Sequence, residues 1–376
     1  RAAPGCSAPQ SVGEAREVSR PERTGPVADY EPVRSVWSHA MLEETAPEVA
    51  RALDRTLGPW HRVSHSDALS RDEDAEAGDR DGTLVWLRDY APIYVRGRYG
   101  RHVAIRYLSE NPNRVDLNRA LPGGEGERLP LLHENGNLAV AGDLVFFTER
   151  IFEDNNIDPS DASLVRAGYH PRTRREVLAI LAERLQVPEA KLVAMPTLPF
   201  EATGHIDTYL LALGPRTVAV PELTLEALLL VTDVTTREVG ATIASFLDEQ
   251  AVMLAELGLR VLRPPMLPPA LGLPDDVVGE SSAHVDWNTD PGEEELVLFT
   301  PVNALLSDVG SERLAFVPSF TSVAENHPEL SALARRYEAD WVDMLADEGW
   351  RAVPADATEL VVMLGLIRCV TATVPR

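Results

Sequence analysis

The sequence predicts an α/β protein in which a repeated unit of hairpin, helix and strand closes into one propeller-like domain. Two observations carry this prediction. The first observation is a pattern that occurs five times: an apolar strand contains a polar residue and turns into a second strand. The end of the chain cuts the fifth copy short. Between several copies lies a helical stretch followed by a short strand. Because such a unit cannot cover its apolar faces alone, neighbouring units must do so, and one domain is favoured over two.

The start of the chain is predicted to be a flexible leader. Residues 1–28 are rich in Pro, Ala, Ser, Gly and charged side chains and offer almost nothing to bury. The single domain is then expected to occupy residues 29–376. A chain that opens at Arg1 suits a protein that has lost a secretory signal and equally suits an arbitrary start. A secreted or periplasmic location and a cytoplasmic one therefore both stay open.

The first structured stretch is predicted to run from a strand through a helix to a second strand. Residues 33–41 form an apolar strand, and residues 45–57 carry apolar side chains at helical spacing. A short strand follows at 62–64. The acidic residues 66–82 then indicate a solvated loop.

The repeats place chemically different side chains at the equivalent position of each unit. Helical stretches at 172–185, 236–257 and 328–347 each lead into a short strand. In a ring of such units, the equivalent position of every unit points at the central axis. The residues at these positions are Asp89, Asn137, His205 with Asp207, Asn303 and Cys369.

Cys369 has two explanations. The chain contains only two cysteines, Cys6 in the leader and Cys369 near the end, so no disulfide framework is implied. A lone thiol on an apolar strand is more often an ordinary buried core residue than a nucleophile. However, a carboxylate, an amide, an imidazole and a thiol at one phase of successive repeats have no shared structural cause. This recurrence favours the nucleophile.

The predicted axial set suits a flat organic cation. Asp89 and Asp207 can each accept two hydrogen bonds from the N–H groups of a guanidinium. These bonds would also fix the position of its electrophilic carbon. Cys369 is then the attacking thiolate, and His205 protonates the departing nitrogen and activates water to hydrolyse the adduct. No metal or other cofactor is called for, because the histidines and the cysteine lack metal-ligand spacing.

Charge and missing motifs narrow the class of protein. The formal charge of −24 disfavours a nucleic-acid partner, since phosphates need Lys and Arg patches, and it attracts a cationic substrate. No apolar run approaches about eighteen residues, so no transmembrane segment is expected. The chain lacks a Gly-x-Ser-x-Gly elbow, a P-loop and a Gly-x-Gly-x-x-Gly fingerprint. A nucleophile this close to the C-terminus also does not follow the papain order of Cys before His.

Five stretches together resemble the guanidine-modifying enzymes of the pentein fold, and among them the agmatine deiminase and bacterial-type peptidylarginine deiminase family. Any one stretch is a weak match, whereas the five in this order are specific. They are WLRDYAP (86–92), ENGN (134–137), TGHID (203–207), PVNAL (301–305) and IRCVT (367–371). The resemblance implies a five-bladed α/β propeller of ββαβ units with pseudo-fivefold symmetry.

The resemblance also implies roles for individual residues. By matching position, Cys369 is the nucleophile and His205 the acid and base, while Asp89 and Asp207 bind the guanidinium. The residues expected to line or shape the substrate pocket are Asn303, Trp86, Glu134 and Asn137.

The chain departs from the family pattern around its nucleophile. Family members commonly have His directly before the cysteine, where this chain has Arg368, and a Gly-rich run earlier, where it has residues 362–366. Agmatine-specific members continue with glutamines, where this chain has residues 372–374. These departures bear on the substrate more than on the guanidine chemistry. Arg368 either holds a substrate carboxylate or faces solvent, and strand alternation favours the second.

The sequence therefore predicts a cysteine hydrolase that deiminates a guanidino compound to a ureido product and ammonia through a covalent amidino-thiol intermediate. The expected substrate is agmatine, arginine or an arginine-containing peptide. Two alternatives stay open. One is an amidinotransferase that passes the same adduct to an amine, and the other is a catalytically inactive pentein that binds guanidinium ligands or partners.

Overall fold

The structure, a computed structural model, describes residues 24–57, 60–63, 86–97, 102–108, 122, 127–157, 169–271, 296–309, 312–322, 328–361 and 365–376. In chain order, the strands of the first half are β1 (Gly25–Pro26), β2 (Val33–His39), β3 (His61–Val63), β4 (Ile93–Arg96), β5 (His102–Leu108), β6 (Glu127–Leu132), β7 (Ala139–Ala141), β8 (Leu144–Thr148) and β9 (Leu192–Met195). Those of the second half are β10 (Leu211–Gly214), β11 (Thr217–Ala219), β12 (Arg260–Leu262), β13 (Ala270–Leu271), β14 (Leu296–Val297), β15 (Leu305–Val309), β16 (Glu312–Ser319), β17 (Arg351–Asp356) and β18 (Thr371–Pro375).

Helices connect these strands. The α-helices are α1 (Leu42–Thr45), α2 (Pro47–Leu57), α3 (Leu87–Tyr90), α4 (Arg150–Asp154), α5 (Arg174–Leu185), α6 (Leu225–Leu229), α7 (Val234–Glu256), α8 (Pro328–Asp347) and α9 (Thr358–Val361). Short 3₁₀ turns occur at Asn135–Asn137, Glu189–Lys191 and Ile206–Thr208. No helix among the described residues is long and apolar enough to cross a membrane.

Local sequence sets where the longer helices begin. The hydroxyl of Thr173 accepts from the backbone N–H of Glu176, whose carboxylate accepts in return from Thr173 N, so α5 starts at a capping box. The α7 helix starts at Asp233, whose side chain accepts from the backbone N–H of Thr236. The buried face of α5 packs against β4 and β6 in a hydrophobic cluster that includes Val95, Leu129, Leu131, Val177, Leu181 and Leu185.

Five of the six sheets among the described residues share one strand order. Each contains two antiparallel strands and a third strand that runs parallel to the second; they are β4–β5–β6, to which β1 adds a fourth strand beside β4, β7–β8–β9, β10–β11–β12, β15–β16–β17 and β18–β2–β3. Helices lie between the second and third strands in four of them, and residues 109–121 and 123–126, which link β5 to β6, fall outside the described residues. The mixed α/β class and the repeated strand order agree with the prediction. The closure of these units into a propeller stays a prediction.

One of the five sheets joins the two ends of the described chain. Strand β18 pairs antiparallel with β2, with Ala372 opposite Trp37, and β3 continues parallel to β2. The turn that carries Cys369 leads directly into β18, so the pairing of β18 with β2 holds this turn in place.

The predicted leader is shorter than expected on its C-terminal side. Residues 1–23 lie outside the described residues, but Gly25 and Pro26 pair with Arg96 and Val95 of β4, and Ala28 is buried. Apolar contact and ladder hydrogen bonds therefore order residues that composition alone assigned to the leader. The predicted loop at 66–82 lies outside the described residues.

The polar residues of the repeats lie in turns before the first strand of each sheet, and the prediction that they lie within strands was wrong. Asp89 is in α3 before β4, and Asp207 is in the 3₁₀ turn before β10. The same holds for Cys369, since the N–H of Val370 donates to Leu366 O and that of Thr371 donates to Arg368 O. Local turn bonds replace ladder bonds here. The turns meet, because α3 contacts β18 and the Asn135–Asn137 turn, which in turn contacts the Ile206–Thr208 turn.

Candidate active site

His205 lies between two carboxylates. Its Nε2 is 2.7 Å from Oε2 of Glu134, and its Nδ1 is 3.7 Å from Oδ1 of Asp89. The imidazole is 5% exposed, whereas the Glu134 side chain is 44% exposed. Glu134 therefore links the buried imidazole to the open side of the site.

The surrounding carboxylates make His205 a cation at neutral pH. Burial by itself lowers the pKa of His205, but Asp89, Glu134 and Asp207 outweigh burial and raise the pKa to about 10. Both ring nitrogens then carry protons, so Nε2 donates to Glu134. The site thus holds an imidazolium, which carries a proton that it can donate in a reaction.

Hydrogen bonds between side chains and the backbone hold the loop before His205. The Glu201 carboxylate accepts from the backbone N–H groups of Thr203 and Gly204, at 2.9 and 2.6 Å. Gly204 has a φ of +65°, a backbone conformation that side chains with a Cβ rarely adopt. Its carbonyl accepts from the hydroxyl of Thr148. These contacts fix the direction in which the chain enters His205.

Gly136 gives His205 and Asp89 the room to approach each other. A Cβ added at Gly136 would lie 2.5 Å from Nδ1 of His205 and 2.8 Å from Oδ1 of Asp89. Both distances are too short for a non-bonded contact. The absence of a side chain at this position is therefore a condition for the observed geometry of the pair.

Cys369 is buried beside Asn303. Its Sγ is 3.2 Å from Nδ2 of Asn303, which donates to it, and the residue is 8% exposed. Burial first, and then the negative charges of Asp207 and Asp89, raise the pKa of the thiol well above its ordinary value. In the free protein Cys369 is therefore a thiol, and a nearby cation is needed to favour the thiolate.

Asn303 holds the nucleophile turn in place. Its Oδ1 accepts from the backbone N–H of Arg368 at 2.9 Å, and its Nδ2 also donates to the carbonyl of Asp207 at 3.3 Å. The amide thus joins the Cys369 turn to the His205 loop. The side chain of Asn303, a predicted pocket residue, is committed to these neighbours.

Asp207 has one oxygen occupied and one facing no donor. Its side chain is fully buried, and Oδ2 accepts from Nη1 of Arg368. Among the described residues, Oδ1 has no hydrogen-bond partner. Asp207 is therefore left with a single unpaired oxygen for a guanidinium, whereas the sequence predicted that both oxygens accept.

Arg368 is buried, and the prediction that it faces solvent was wrong. Its side chain is 4% exposed and pairs with Asp29 and Asp207. The prediction assumed strand alternation, but Arg368 and Cys369 lie in a hydrogen-bonded turn, where neighbouring side chains do not point to opposite faces. Asp29 and Arg88, which complete this group, were missed. Arg88 offered one signal, since it stands directly before Asp89 in a predicted motif.

Trp86 and Asn137 lie at the edges of the site. Trp86 is partly buried and packs against Gly365, where an added Cβ would clash with the indole ring. Asn137 is buried, and its Oδ1 accepts from the backbone N–H of Thr148 at 2.8 Å. Because the Thr148 hydroxyl in turn donates to Gly204 O, Thr148 links Asn137 to the loop before His205. Trp86 thus contacts the segment that leads to Cys369, and two residues after it Arg88 N donates to Cys369 O at 2.8 Å.

Within the described part of the chain, one cluster has donor atoms close enough together to hold a cation. Single atoms of Asp89, Glu134 and His205 lie within 4.8 Å of one another. A metal ion needs a neutral imidazole, and the raised pKa of His205 opposes this. An organic cation needs only the carboxylates. In the group of Asp29, Arg88, Asp89, Glu134, His205, Asp207 and Arg368, four anions face three cations, which leaves one negative charge for a ligand to balance.

Comparison with known proteins identifies the fold. No protein-family model matches the chain, and no curated protein matches its sequence. Solved structures do match. The agmatine deiminase of C. jejuni has a TM-score of 0.60 at 12% identity, over 94% of this chain and 96% of that chain. The agmatine deiminase of Enterococcus faecalis has a TM-score of 0.62 at 14% identity, again over 94% and 96%.

A substrate-bound cysteine-to-serine variant of the C. jejuni agmatine deiminase also matches, with a TM-score of 0.59 at 11% identity over 94% of this chain and 97% of that chain. At these identities the likeness establishes a shared fold. The resemblance to agmatine deiminases that the five motifs predicted is confirmed at this level.

Proposed function

We propose that this chain is a cysteine-dependent hydrolase that deiminates a guanidino substrate, and that its repeated sheets close into the five-bladed propeller that the resemblance implies. One observation carries the proposal. In a fold shared with agmatine deiminases, the Asn303 amide contacts both a buried thiol and the residue whose carboxylate has a vacant oxygen, and an imidazolium lies between two further carboxylates. The substrate class comprises agmatine, arginine and peptidyl-arginine.

The carboxylates account for recognition of the substrate. A guanidinium stays protonated at all working pH values and presents planar N–H donors that match carboxylate oxygens. Asp207 offers Oδ1, and Asp89 and Glu134 lie on the His205 side. The single negative charge of the site is balanced by one such cation.

The bound cation also activates the nucleophile. Burial first, and then Asp207 and Asp89, raise the pKa of Cys369, and a guanidinium between the two carboxylates offsets their part of this effect. The thiol then loses its proton to solvent, and the thiolate attacks the guanidinium carbon. The C–S bond forms while His205 gives its proton to the departing nitrogen, the C–N bond breaks and ammonia leaves.

The second half of the reaction uses the imidazole that the first half has produced. Neutral His205 takes a proton from water, and the resulting hydroxide attacks the carbon of the amidino-thiol adduct. The C–S bond breaks, the hydroxyl of the tetrahedral adduct gives its proton to the sulfur, and the thiol is regenerated as the neutral ureido product is released. His205 is protonated again, and ammonia takes up the proton that the thiol lost.

An ammonia-release panel tests the proposed function. The compounds are agmatine, free arginine and peptides with internal or C-terminal arginine, each incubated with the purified chain, and ureido product is measured by mass. We expect stoichiometric ammonia and ureido product from at least one compound. If added amine diverts the product from the ureido compound to a new guanidine, the chain is an amidinotransferase. Absence of turnover with every compound contradicts the proposal.

The pH dependence should follow from the two raised pKa values. The reactive form needs both a thiolate and an imidazolium, and the pKa of His205 is about 10 while that of Cys369 is also raised. Below both values the imidazolium is already formed and only the thiolate fraction limits the rate. We expect kcat/KM to rise about tenfold per pH unit from about pH 6 to about pH 8. A profile that is flat or falling over this range would contradict the assignment.

A further inference from the structure

The guanidinium of Arg368 has every donor occupied. Its Nε and Nη2 donate to Oδ2 of Asp29 at 3.2 and 2.9 Å. Its Nη1 donates to Oδ2 of Asp207 and to Gly136 O, and Nη2 donates also to Leu138 O at 2.8 Å. A guanidinium has five N–H groups, and these contacts use all of them. No donor of Arg368 is left for a substrate carboxylate.

Asp29 is shared between two buried arginines. Nη2 of Arg88 lies 2.9 Å from Oδ1 and 3.2 Å from Oδ2 of Asp29. Burial by itself raises the pKa of Asp29, but Arg368 and Arg88 lower it to about 2. Asp29 is thus an anion at neutral pH, and it binds Nε and Nη2 of Arg368 while Nη1 donates to Asp207.

This group of charges is attached to the nucleophile turn at two points. The backbone N–H of Arg88 donates to Cys369 O at 2.8 Å, and Arg368 is the neighbour of Cys369 in the chain. Arg368 also reaches Gly136 O, next to the place where His205 and Asp89 approach each other. A displacement of Arg368 would therefore move Asp207, the Cys369 turn and the Gly136 turn together.

We propose that Arg368, held by Asp29 and Arg88, is a positioning residue that keeps Oδ1 of Asp207 available beside Cys369 and does not itself contact the substrate. The inference rests on the proposed function for its catalytic consequence. The same pairing neutralises Asp207 next to the thiol. Loss of Arg368 would leave the carboxylate of Asp207 uncompensated, which would make the thiolate harder to form.

Thiol titration tests this without any substrate. In a Cys6→Ser background Cys369 is the single thiol of the chain, so its alkylation by iodoacetamide can be followed against pH. We expect Arg368→Met to move the alkylation profile upward by about one pH unit, which is about a tenfold slower reaction at a given pH below the pKa. The matched control is Arg96→Met, which likewise removes an arginine paired with an acidic residue of the N-terminal segment, in this case Glu31. It should leave the profile unchanged.

Turnover gives the second readout. For every panel compound that the parent turns over, Arg368→Met should lower kcat/KM by at least about tenfold, and by the same factor whether or not the compound carries a carboxylate. A loss confined to carboxylate-bearing compounds would overturn the proposal, because it would place Arg368 in contact with substrate. An unchanged alkylation profile would overturn it as well.

Two further arms keep the outcomes distinct. If Arg368→Met does not fold, as judged by thermal unfolding, Asp29→Asn replaces it; this variant keeps Arg368 and removes its buried anion, and it should change the profile and turnover in the same direction. If the alkylation profile and the turnover of Asp29→Asn equal those of the parent, the proposal is overturned. If no panel compound is turned over by the parent, the proposed function fails, while the alkylation arm still decides the positioning role.

Discussion

Replacement of Cys369 by alanine should lower kcat for ammonia release by on the order of 10⁴-fold or more, because no other described group at the site can form the covalent adduct. Folding should be retained, since Asn303, the residue whose side chain hydrogen-bonds to the thiol, keeps its amide bonds to Arg368 N and Asp207 O. The change in the free energy of unfolding is expected to be within about 1 kcal/mol. Steady-state kinetics and thermal unfolding of the same preparation measure both.

The matched control for this variant is Cys6→Ala. Cys6 is the other cysteine of the chain and lies in the predicted leader, so its removal should leave turnover at the parental value. Intact mass after rapid quenching should show an adduct on the parent and on Cys6→Ala and none on Cys369→Ala. Turnover that survives in Cys369→Ala would show that the nucleophile is another group.

Replacement of His205 by asparagine should lower kcat by about 10²- to 10⁴-fold, the range expected when a general acid and base is lost. The first half-reaction loses its proton donor and the second loses its base. Where attack still occurs, the amidino-thiol adduct should accumulate, because water is no longer activated. Quenched-flow kinetics with intact-protein mass would detect it.

The same variant should also change stability. Without the imidazolium, Asp89 and Glu134 face each other with no cation between them, so the free energy of unfolding at neutral pH should fall. His170→Asn is the matched control, since His170 is exposed and lies apart from these contacts; it should leave both turnover and stability unchanged. Parental turnover in His205→Asn would remove His205 from the mechanism.

The grouping of the candidate site residues was more predictable than the backbone that carries them. The recurrence of polar residues at one phase brought Asp89, His205, Asp207, Asn303 and Cys369 into one group, and the structure places turns of this group in contact. The assignment of those residues to strands failed because an apolar run with one polar residue fits a strand and a turn before a strand equally well. Period-two patterns cannot separate the two when the run is short.

Some roles depended on partners that no local pattern contains. Asn137 occupies a predicted pocket position, yet its amide oxygen is used by the backbone of Thr148. Arg368 was expected to face solvent and is instead surrounded by acceptors. In both cases the residue type at the position was known, and the direction of the side chain followed from neighbours that the fold brings in.

The sequence by itself determined the repeated ββαβ order, the apolar faces that pack the sheets and the types of reactive side chain, because hydrophobic periodicity and motif spacing are local properties of the chain. Only the tertiary structure decided which charges meet. Arg368 and Asp29 are 339 positions apart, and Arg88 and Asp29 are 59 apart. A buried ion needs a counterion, and the fold decides which residue supplies it. A local sequence pattern cannot show a pair whose members lie so far apart in the chain.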